Sequence, residues 1–402
     1  MQQVSDTSRS PGYGPAPTNS RALIVDSIRS AGTVSRVELT QITGLTAPSV
    51  TTVVRRLIDD GLVDEAGRGS STGGKPRTLL RIRAAARYVV GVHLSADSLT
   101  YVLVDYAGGV VARWRRTGPG EDSDPGQVVE RIATETVELI ERSGIDSTLV
   151  LGLGFVCPGP LIRNRGVTSA PPSMAHWVGF PIHQRLEERL GLPILLENDA
   201  TAAAAGTRLT TSHDVSVLAA LFMSEGIGSG LRVNGNVYQG AHGNAGEVGH
   251  VCVQIGGPQC WCGSSGCLEA IAGPATVVAK ARAAGLDLGS HRRTVVAAFA
   301  ATARLALTGD SRADAILRDS ASWLALGAQT ITNMYDVQSL VLTGPAFAVA
   351  GTIYLPIIQE RILGSAFGRS VGTEVVLDER GHDAAAIGAA LMMLRSERAF
   401  SV

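Results

Sequence analysis

From Arg21 to Gly61 apolar residues recur at helical spacing, and beyond Ala86 they switch to strand-like runs separated by long helical stretches. In RALIVDSIRSAG, Leu23, Ile24, Ser27 and Ile28 share one face and Gly32 stops the pattern. SRVELTQITG opens on Ser35, carries Glu38 three residues on, as a capping box requires, and closes at Gly44. The third run, TAPSVTTVVRRLIDDG, has Thr46 placed to cap, Pro48 near its first turn, and apolar Val50, Val53, Val54, Leu57 and Ile58 before Gly61. Its other face shows Ser49, Thr51, Thr52, Arg55 and Arg56. LVDEAG, RGSSTGGKPR and TLLRI then read as strand, basic glycine-rich turn and strand.

Three helices followed by such a hairpin predict a winged helix-turn-helix over residues 21–83. In that unit the third helix enters the major groove. Thr46, Ser49, Thr51 and Thr52 would reach base edges, and Arg55, Arg56, Arg68, Lys75 and Arg77 would neutralise phosphates. The bland alternative is a small helical domain for protein contacts, its arginines merely solvated. The Gly44 turn, the capped third helix and the basic wing together favour DNA.

Charge sharpens this division. Residues 1–88 hold 12 Lys/Arg against 7 Asp/Glu, whereas the remainder holds 23 against 29, so only the first segment suits a polyanion. Residues 1–20, rich in Pro, Gly, Ser and Thr, are expected to form a disordered tail. That opening lacks the apolar centre of a targeting signal, and no stretch reaches about 18 uninterrupted apolar residues, so a cytoplasmic protein with no membrane partner is expected.

Further on, YVVGVHLSADSLTYVLVDYAGGVVARWRRT reads as three strands with turns near Ala96 and Gly108. A helix from about Pro125 to Arg142 and a buried strand, LVLGLGFV, follow. SVLAALFMSEGIGSGLRVNGNVY repeats strand, turn, strand, which points to α/β layers in two similar lobes.

CWCGSSGCLE, residues 260–269, holds three of the five cysteines. In a reducing compartment such crowding indicates metal or redox chemistry. Cys260, Cys262 and Cys267, with His250 in GEVGH, supply three sulfurs and an imidazole, a set suited to a closed structural zinc site. Gly263 and Gly266 would let the backbone turn around the ion, and a redox switch is the rival use. Cys252, in an apolar stretch, is expected in the core, and Cys157 is left out of the metal set. Asn198, Asp199, Glu247 and Glu269 offer the acceptors and the amide that grip a polyol.

FVCPGPL, LENDATAAAAG, EGIGSGLRVNGNVYQGAHGNAGEVGH, CWCGSSGCLE and HDAAAIGAAL, in that order, resemble the ROK family (repressor, ORF, kinase) of bacterial sugar kinases and sugar-responsive repressors. The N-terminal unit is similar to the branch that contains the xylose and N-acetylglucosamine repressors. The resemblance implies an actin-like (sugar kinase/Hsp70-type) two-lobed effector-binding and oligomerisation domain over residues 88–402, with a sugar cleft between the lobes. It also implies the same four zinc ligands and sugar contacts at Asn198, Asp199, Glu247, His250 and Glu269. A homodimer or homotetramer would present paired helices to operator DNA.

In the family's kinases Asp199 would be the general base. Where they carry Asp-x-Gly-Gly-Thr this chain has HLSAD, His93 to Asp97. SEGIGSG keeps Gly226, Gly228 and Gly230 but has Glu225 where a small hydroxyl residue is usual, and LTGPAF sets Pro345 after Gly344. The remaining glycines are expected to make tight turns. SAPPSMAHW puts Pro172 and Ser173 where relatives often carry an asparagine. These departures predict a regulator of carbohydrate genes, most simply a repressor, that answers to a sugar or sugar phosphate, with Asp199 a vestigial base and no enzyme activity. The alternatives are a working ROK sugar kinase that uses Asp199 as general base, and a regulator that answers to a protein.

Overall fold

The computed structural model describes residues 20–68, 77–120, 123–162, 166–207, 215–290 and 293–396. Apart from Ser20, which opens the first helix, the expected tail over 1–20 lies outside them, as does Lys75.

The chain begins with helices α1 (Ser20–Ala31), α2 (Arg36–Thr43) and α3 (Ala47–Asp59) and strands β1 (Val34–Ser35), β2 (Val63–Arg68) and β3 (Thr78–Ile82), the strands ordered β1-β3-β2. The local signals act as their chemistry requires. The Ser35 amide donates to the Glu38 carboxylate at 2.8 Å and the Ser35 hydroxyl accepts from the Glu38 amide at 3.3 Å. Gly44 closes α2 at φ 68°, a left-handed conformation that favours glycine. Thr46 caps α3, worth about 1 kcal/mol. Val50, Val54 and Leu57 form the buried stripe of α3.

A first lobe follows. β4 (Tyr88–Leu94), β5 (Ser98–Asp105) and β6 (Val110–Thr117) make an antiparallel meander, and α4 (Pro125–Arg142) leads to β7 (Val150–Cys157), parallel to β4. After the small hairpin β8 (Leu161–Ile162) and β9 (Gly166–Val167), α5 (Ile182–Leu190) feeds β10 (Ile194–Asn198), parallel to β7. The sheet order is β10-β7-β4-β5-β6.

Helix α6 (Asp199–Gly206) leads to the second lobe, where β11 (Val217–Met223), β12 (Ile227–Val233) and β13 (Asn236–Tyr238) form another antiparallel meander. Helices α7 (Leu268–Ala272), α8 (Pro274–Ala283), α9 (Val295–Leu307) and α10 (Ser311–Tyr335) come before β14 (Ser339–Thr343). Then α11 (Pro345–Gly364), α12 (Ala366–Val371), β15 (Glu374–Leu377) and α13 (Ala384–Arg395) complete the chain. The order is β13-β12-β11-β14-β15, with β14 parallel to β11 and β15 parallel to β14. Each sheet therefore runs fifth, fourth, first, second, third strand of its own lobe, so the topology is duplicated.

Strands β4, β5 and β7 are covered on both faces. Period-two alternation sends Val90, Val92 and Leu103 to the core under α4 and α5. Val89, Val102 and Val104 go to a second core shared with α13 and the N-terminal helices. The N-terminal unit is also tied on by polar contacts. Arg29 Nε donates to the Tyr106 carbonyl at 3.0 Å, and Arg395 near the end of α13 lies 3.8 Å from Asp26 on α1. Helices α6 and α13 approach so closely that a Cβ on Gly388 would sit 1.7 Å from the Ala202 carbonyl oxygen. Among the described residues one helix, α11, is long and apolar enough to cross a membrane, but its Phe347, Ile353, Tyr354 and Ile358 belong to the second lobe's core.

Candidate functional site

Between the lobes lies a cleft with about 560 Å³ of empty space, counting that open to solvent. The parallel strand β10 delivers Asn198 and Asp199 to its rim, where Asn198 caps α6 by accepting from the Thr201 amide at 3.0 Å. Asn198, Asp199, Glu247, His250 and Glu269 all line this cleft. Three residues that motif reading did not assign to ligand binding join them: Trp261, Glu225 and Ser229.

The carboxylates have unequal duties. Glu269 takes the Ile227 amide at 2.7 Å on one oxygen and the Trp261 indole N–H at 2.6 Å on the other. Glu247 is left facing Asp199 and Glu269, and burial first, then those two charges, pushes its pKa up to about 7. Asp199 Oδ2 lies 3.6 Å from His93 Nε2, within a buried pair. Asp199 thus has an imidazole beside it.

Glycines of SEGIGSG meet the expectation only in part. Gly226 does sit in the turn between β11 and β12, but Gly228 and Gly230 lie within β12, and close approach constrains them: a Cβ on Gly226 would fall 2.3 Å from Glu269 Oε2, and one on Gly230 2.5 Å from the Ala200 carbonyl oxygen. Both make room for the carboxylate and for α6.

Next to the cleft, His250 Nδ1 is 3.6 Å from Cys260 Sγ, and Cys262 Sγ is 3.7 Å from Cys267 Sγ. The four donor atoms lie within 4.8 Å of one another. With metal–sulfur bonds of about 2.3 Å and metal–imidazole bonds of about 2.0–2.1 Å, a tetrahedral ion spaces its donors about 3.5–3.8 Å apart. The residues fit such an ion, and a sulfur separation of 3.7 Å excludes a disulfide. Burial works against the Cys262 thiolate, yet hydrogen bonds from the Ser264 amide and the other two thiols outweigh it and lower its pKa, while burial pushes Cys260 up to about 12. A divalent cation would stabilise the remaining thiolates. The loop also reaches the cleft: Trp261, between two of the thiols, meets the His250 ring edge-on at 4.9 Å. Cys252 corrects the sequence expectation. It is exposed, because the apolar stretch after His250 is a loop held by a single bridge to Cys267. Cys157 is buried in β7, away from the donor set.

At the other end of the molecule, Thr46, Ser49, Thr51, Thr52, Arg55 and Arg56 are all exposed along α3. The Thr46 hydroxyl is engaged as the cap and lies 2.9 Å from Ser49 Oγ. Arg55 and Arg56 make no ion pair among the described residues. Exposed Arg68 and Arg77 flank residues 69–76, which include Lys75.

Comparison with known proteins extends this picture. The sequence model of the ROK family matches residues 89–396. A putative xylose repressor of Caldicellulosiruptor sp. (strain Rt8B.4) is 27% identical over 356 residues, 86% of this chain and 88% of that protein. The crystal structure of a ROK family transcriptional regulator, a homologue of the E. coli MLC protein, superposes with a TM-score of 0.72 at 21% identity, over 95% of this chain and 97% of that one. A ROK family glucokinase from Streptomyces griseus, solved with glucose and AMPPNP, gives 0.64 at 24% identity, over 76% of this chain and 98% of the kinase. With its two lobes of duplicated topology, the cleft between them and a family match that spans both, the chain belongs to the ROK family.

Proposed function

We propose that the protein is a DNA-binding transcriptional regulator, most simply a repressor of carbohydrate genes, whose operator affinity responds to a sugar in the interlobe cleft. The observation that carries this reading is the N-terminal unit, in which a capped helix presents hydroxyl and arginine side chains to solvent beside a two-stranded hairpin. On this reading residues 21–83 are a winged helix-turn-helix and residues 88–402 the sensor and oligomerisation domain. Names of relatives support it: the putative xylose repressor of Caldicellulosiruptor and a xylose repressor of Bacillus subtilis align over most of their length.

In the cleft, Asn198, Asp199, Glu247, His250 and Glu269 would accept from and donate to sugar hydroxyls. His250, Cys260, Cys262 and Cys267 would hold a structural zinc, which supplies a fixed point for the Trp261 loop and, through Glu269, for the cleft wall. Ligand entry would shift the angle between the lobes and so the spacing of paired α3 helices in a homodimer or homotetramer, a coupling typically about 1–3 kcal/mol. The protein would reside in the cytoplasm and on the nucleoid when bound.

The test is an anisotropy titration of the full chain on its own upstream promoter DNA at fixed salt, with and without a panel of sugars. Specific binding released by one compound supports the reading, and Arg56→Ala should then weaken binding and reduce the salt slope by about 1. Absence of specific binding, together with sugar-dependent ATP hydrolysis, would replace the regulator with a kinase that uses Asp199 as general base.

A further inference from the structure

The hairpin turn between β4 and β5 (Ser95, Ala96, Asp97) and that between β11 and β12 (Ser224, Glu225, Gly226) occupy the same place in the duplicated topology and meet across the cleft. The first offers backbone N–H groups, and the second offers a carboxylate. Glu225 Oε1 accepts from the Ala96 amide at 2.7 Å, with the Asp97 amide also directed at the carboxylate, and Oε2 accepts from the Ser173 hydroxyl at 2.7 Å. Consecutive amides and a hydroxyl converging on one anion are how a protein cradles a phosphoryl or carboxylate group. Here the chain supplies the anion itself, from the opposite lobe. A second link closes the same side, where the Thr294 hydroxyl, N-cap of α9, donates to Asp97.

The rest of the wall has the same sign. Asp199, Glu247 and Glu269 face the cleft with Glu225, and no Lys or Arg is among the described residues that line it. An entering anion would find its cradle filled and would meet the Asp199 and Glu269 carboxylates on the same wall.

We propose that Glu225 is the specificity determinant of the cleft: by occupying the amide cradle at Ala96 and Asp97 it bars phosphoryl and carboxylate groups, and so restricts the effector to neutral or amino sugars. This deepens the sugar-responsive reading and rests on it. The sequence alone left sugar phosphates open, and the geometry removes them. It also makes Glu225 a strut between the lobes, since both of its oxygens take donors from the first lobe.

The experiment titrates inorganic pyrophosphate and Mg-ATP into the full-length protein by calorimetry, as wild type, Glu225→Ser and Glu225→Gln. Sugars from the panel follow, each paired with its phosphate monoester. Wild type is expected to show no saturation by pyrophosphate or Mg-ATP at millimolar concentration and to prefer each parent sugar to its phosphate. Glu225→Ser should bind pyrophosphate at least about tenfold more tightly than wild type. Glu225→Gln, which keeps the shape without the charge, should fall between, and it decides alone if the serine variant does not fold. Equal pyrophosphate affinity in wild type and both variants overturns the proposal, as does tighter binding of a sugar phosphate than of its sugar by wild type. Operator binding measured without sugar fails or succeeds independently, so loss of the regulator reading is told apart from loss of this one.

Discussion

The two lobes share a strand order and differ in what stabilises the equivalent turn. In the first lobe, Ser95 to Asp97 is held mainly by backbone bonds, with Asp97 against Thr294 besides: the Ser95 amide donates to the Ser98 carbonyl at 3.0 Å, and the Gly118 and Gly120 amides donate to the Asp97 and Ala96 carbonyls at 2.8 and 3.1 Å. In the second, the Ser224 amide donates likewise to the Gly226 carbonyl at 3.1 Å, but the turn is also tethered through Ile227, Glu269 and Trp261 to the four-donor cluster. One architecture has thus been given a turn braced mainly by backbone, which supplies amides, and a turn braced through side chains, which supplies a charge. A carboxylate aimed across a cleft needs such bracing, because a mobile glutamate would lose rotamer entropy on making every contact.

Breaking the brace at its root should have the largest effect. Cys262→Ser is expected to abolish stoichiometric zinc, read by elemental analysis, and to lower Tm by about 10 °C or more, since structural zinc contributes on the order of 10 kcal/mol. Zinc retained at full stoichiometry would remove Cys262 from the ligand set, and zinc absent from wild type and variant alike would show that the second lobe is braced without an ion. One link further in, Glu269→Ala leaves the Ile227 amide and the Trp261 indole without their acceptor, at a cost of about 2–5 kcal/mol in denaturant unfolding. A cost no greater than that of an ordinary surface change would remove Glu269 from the chain of support.

Smaller changes sharpen the contrast. Gly226→Ala should destabilise by about 1–3 kcal/mol, because the new methyl meets the Glu269 carboxylate. Asp97→Ala, at the equivalent position of the first-lobe turn, should lose only the Thr294 bond, about 1 kcal/mol, because the backbone bonds from Gly118 and Gly120 remain. Parity between the two variants would mean that the lobes are supported alike.

The smallest effect is in pH. Burial is the leading influence on Glu225 and raises its pKa, Asp199 adds to this, and the donors Ser173, Ala96 and Asp97 oppose it. A carboxyl group whose folded pKa exceeds its ordinary value near 4.5 is most favourable below that value, and its contribution declines as pH rises toward the folded pKa. The Tm difference between wild type and Glu225→Gln should therefore shift against wild type from about pH 4.5 upward. A difference that moves the other way would mean that the three donors outweigh burial.

Much of the fold was legible where the signal is local. The Ser35–Glu38 box, the Thr46 cap and the bounds of α4 follow from neighbours within four residues. Duplication was legible only as two meanders, since β7, β10, β14 and β15 add by parallel pairing across long intervals that leave no periodic trace. The donor cluster was readable because its thiols are nearly adjacent. Cys252 misled for the complementary reason: an apolar stretch looks like core unless the loop beside the donor cluster is foreseen. Glu225 stood out in the sequence only as a departure, for its partner Ala96 is 129 positions away. Trp261 was hidden among the cysteines, its role set by Glu269 eight residues on.

Helix α13 contains little reactive chemistry, yet it is fitted to close clearances throughout. Gly388 leaves no room for a methyl against α6, the helix that begins at Asp199, and Arg395 sits beside Asp26 on the first helix of the N-terminal unit. A part machined to such tolerances has no slack with which to absorb a displacement, so play introduced at one end is delivered at the other. The residues least able to bind anything are thereby the ones with the least freedom to drift, and the helix that lines no part of the cleft is where the molecule would most readily lose the connection between the cleft wall and the N-terminal unit.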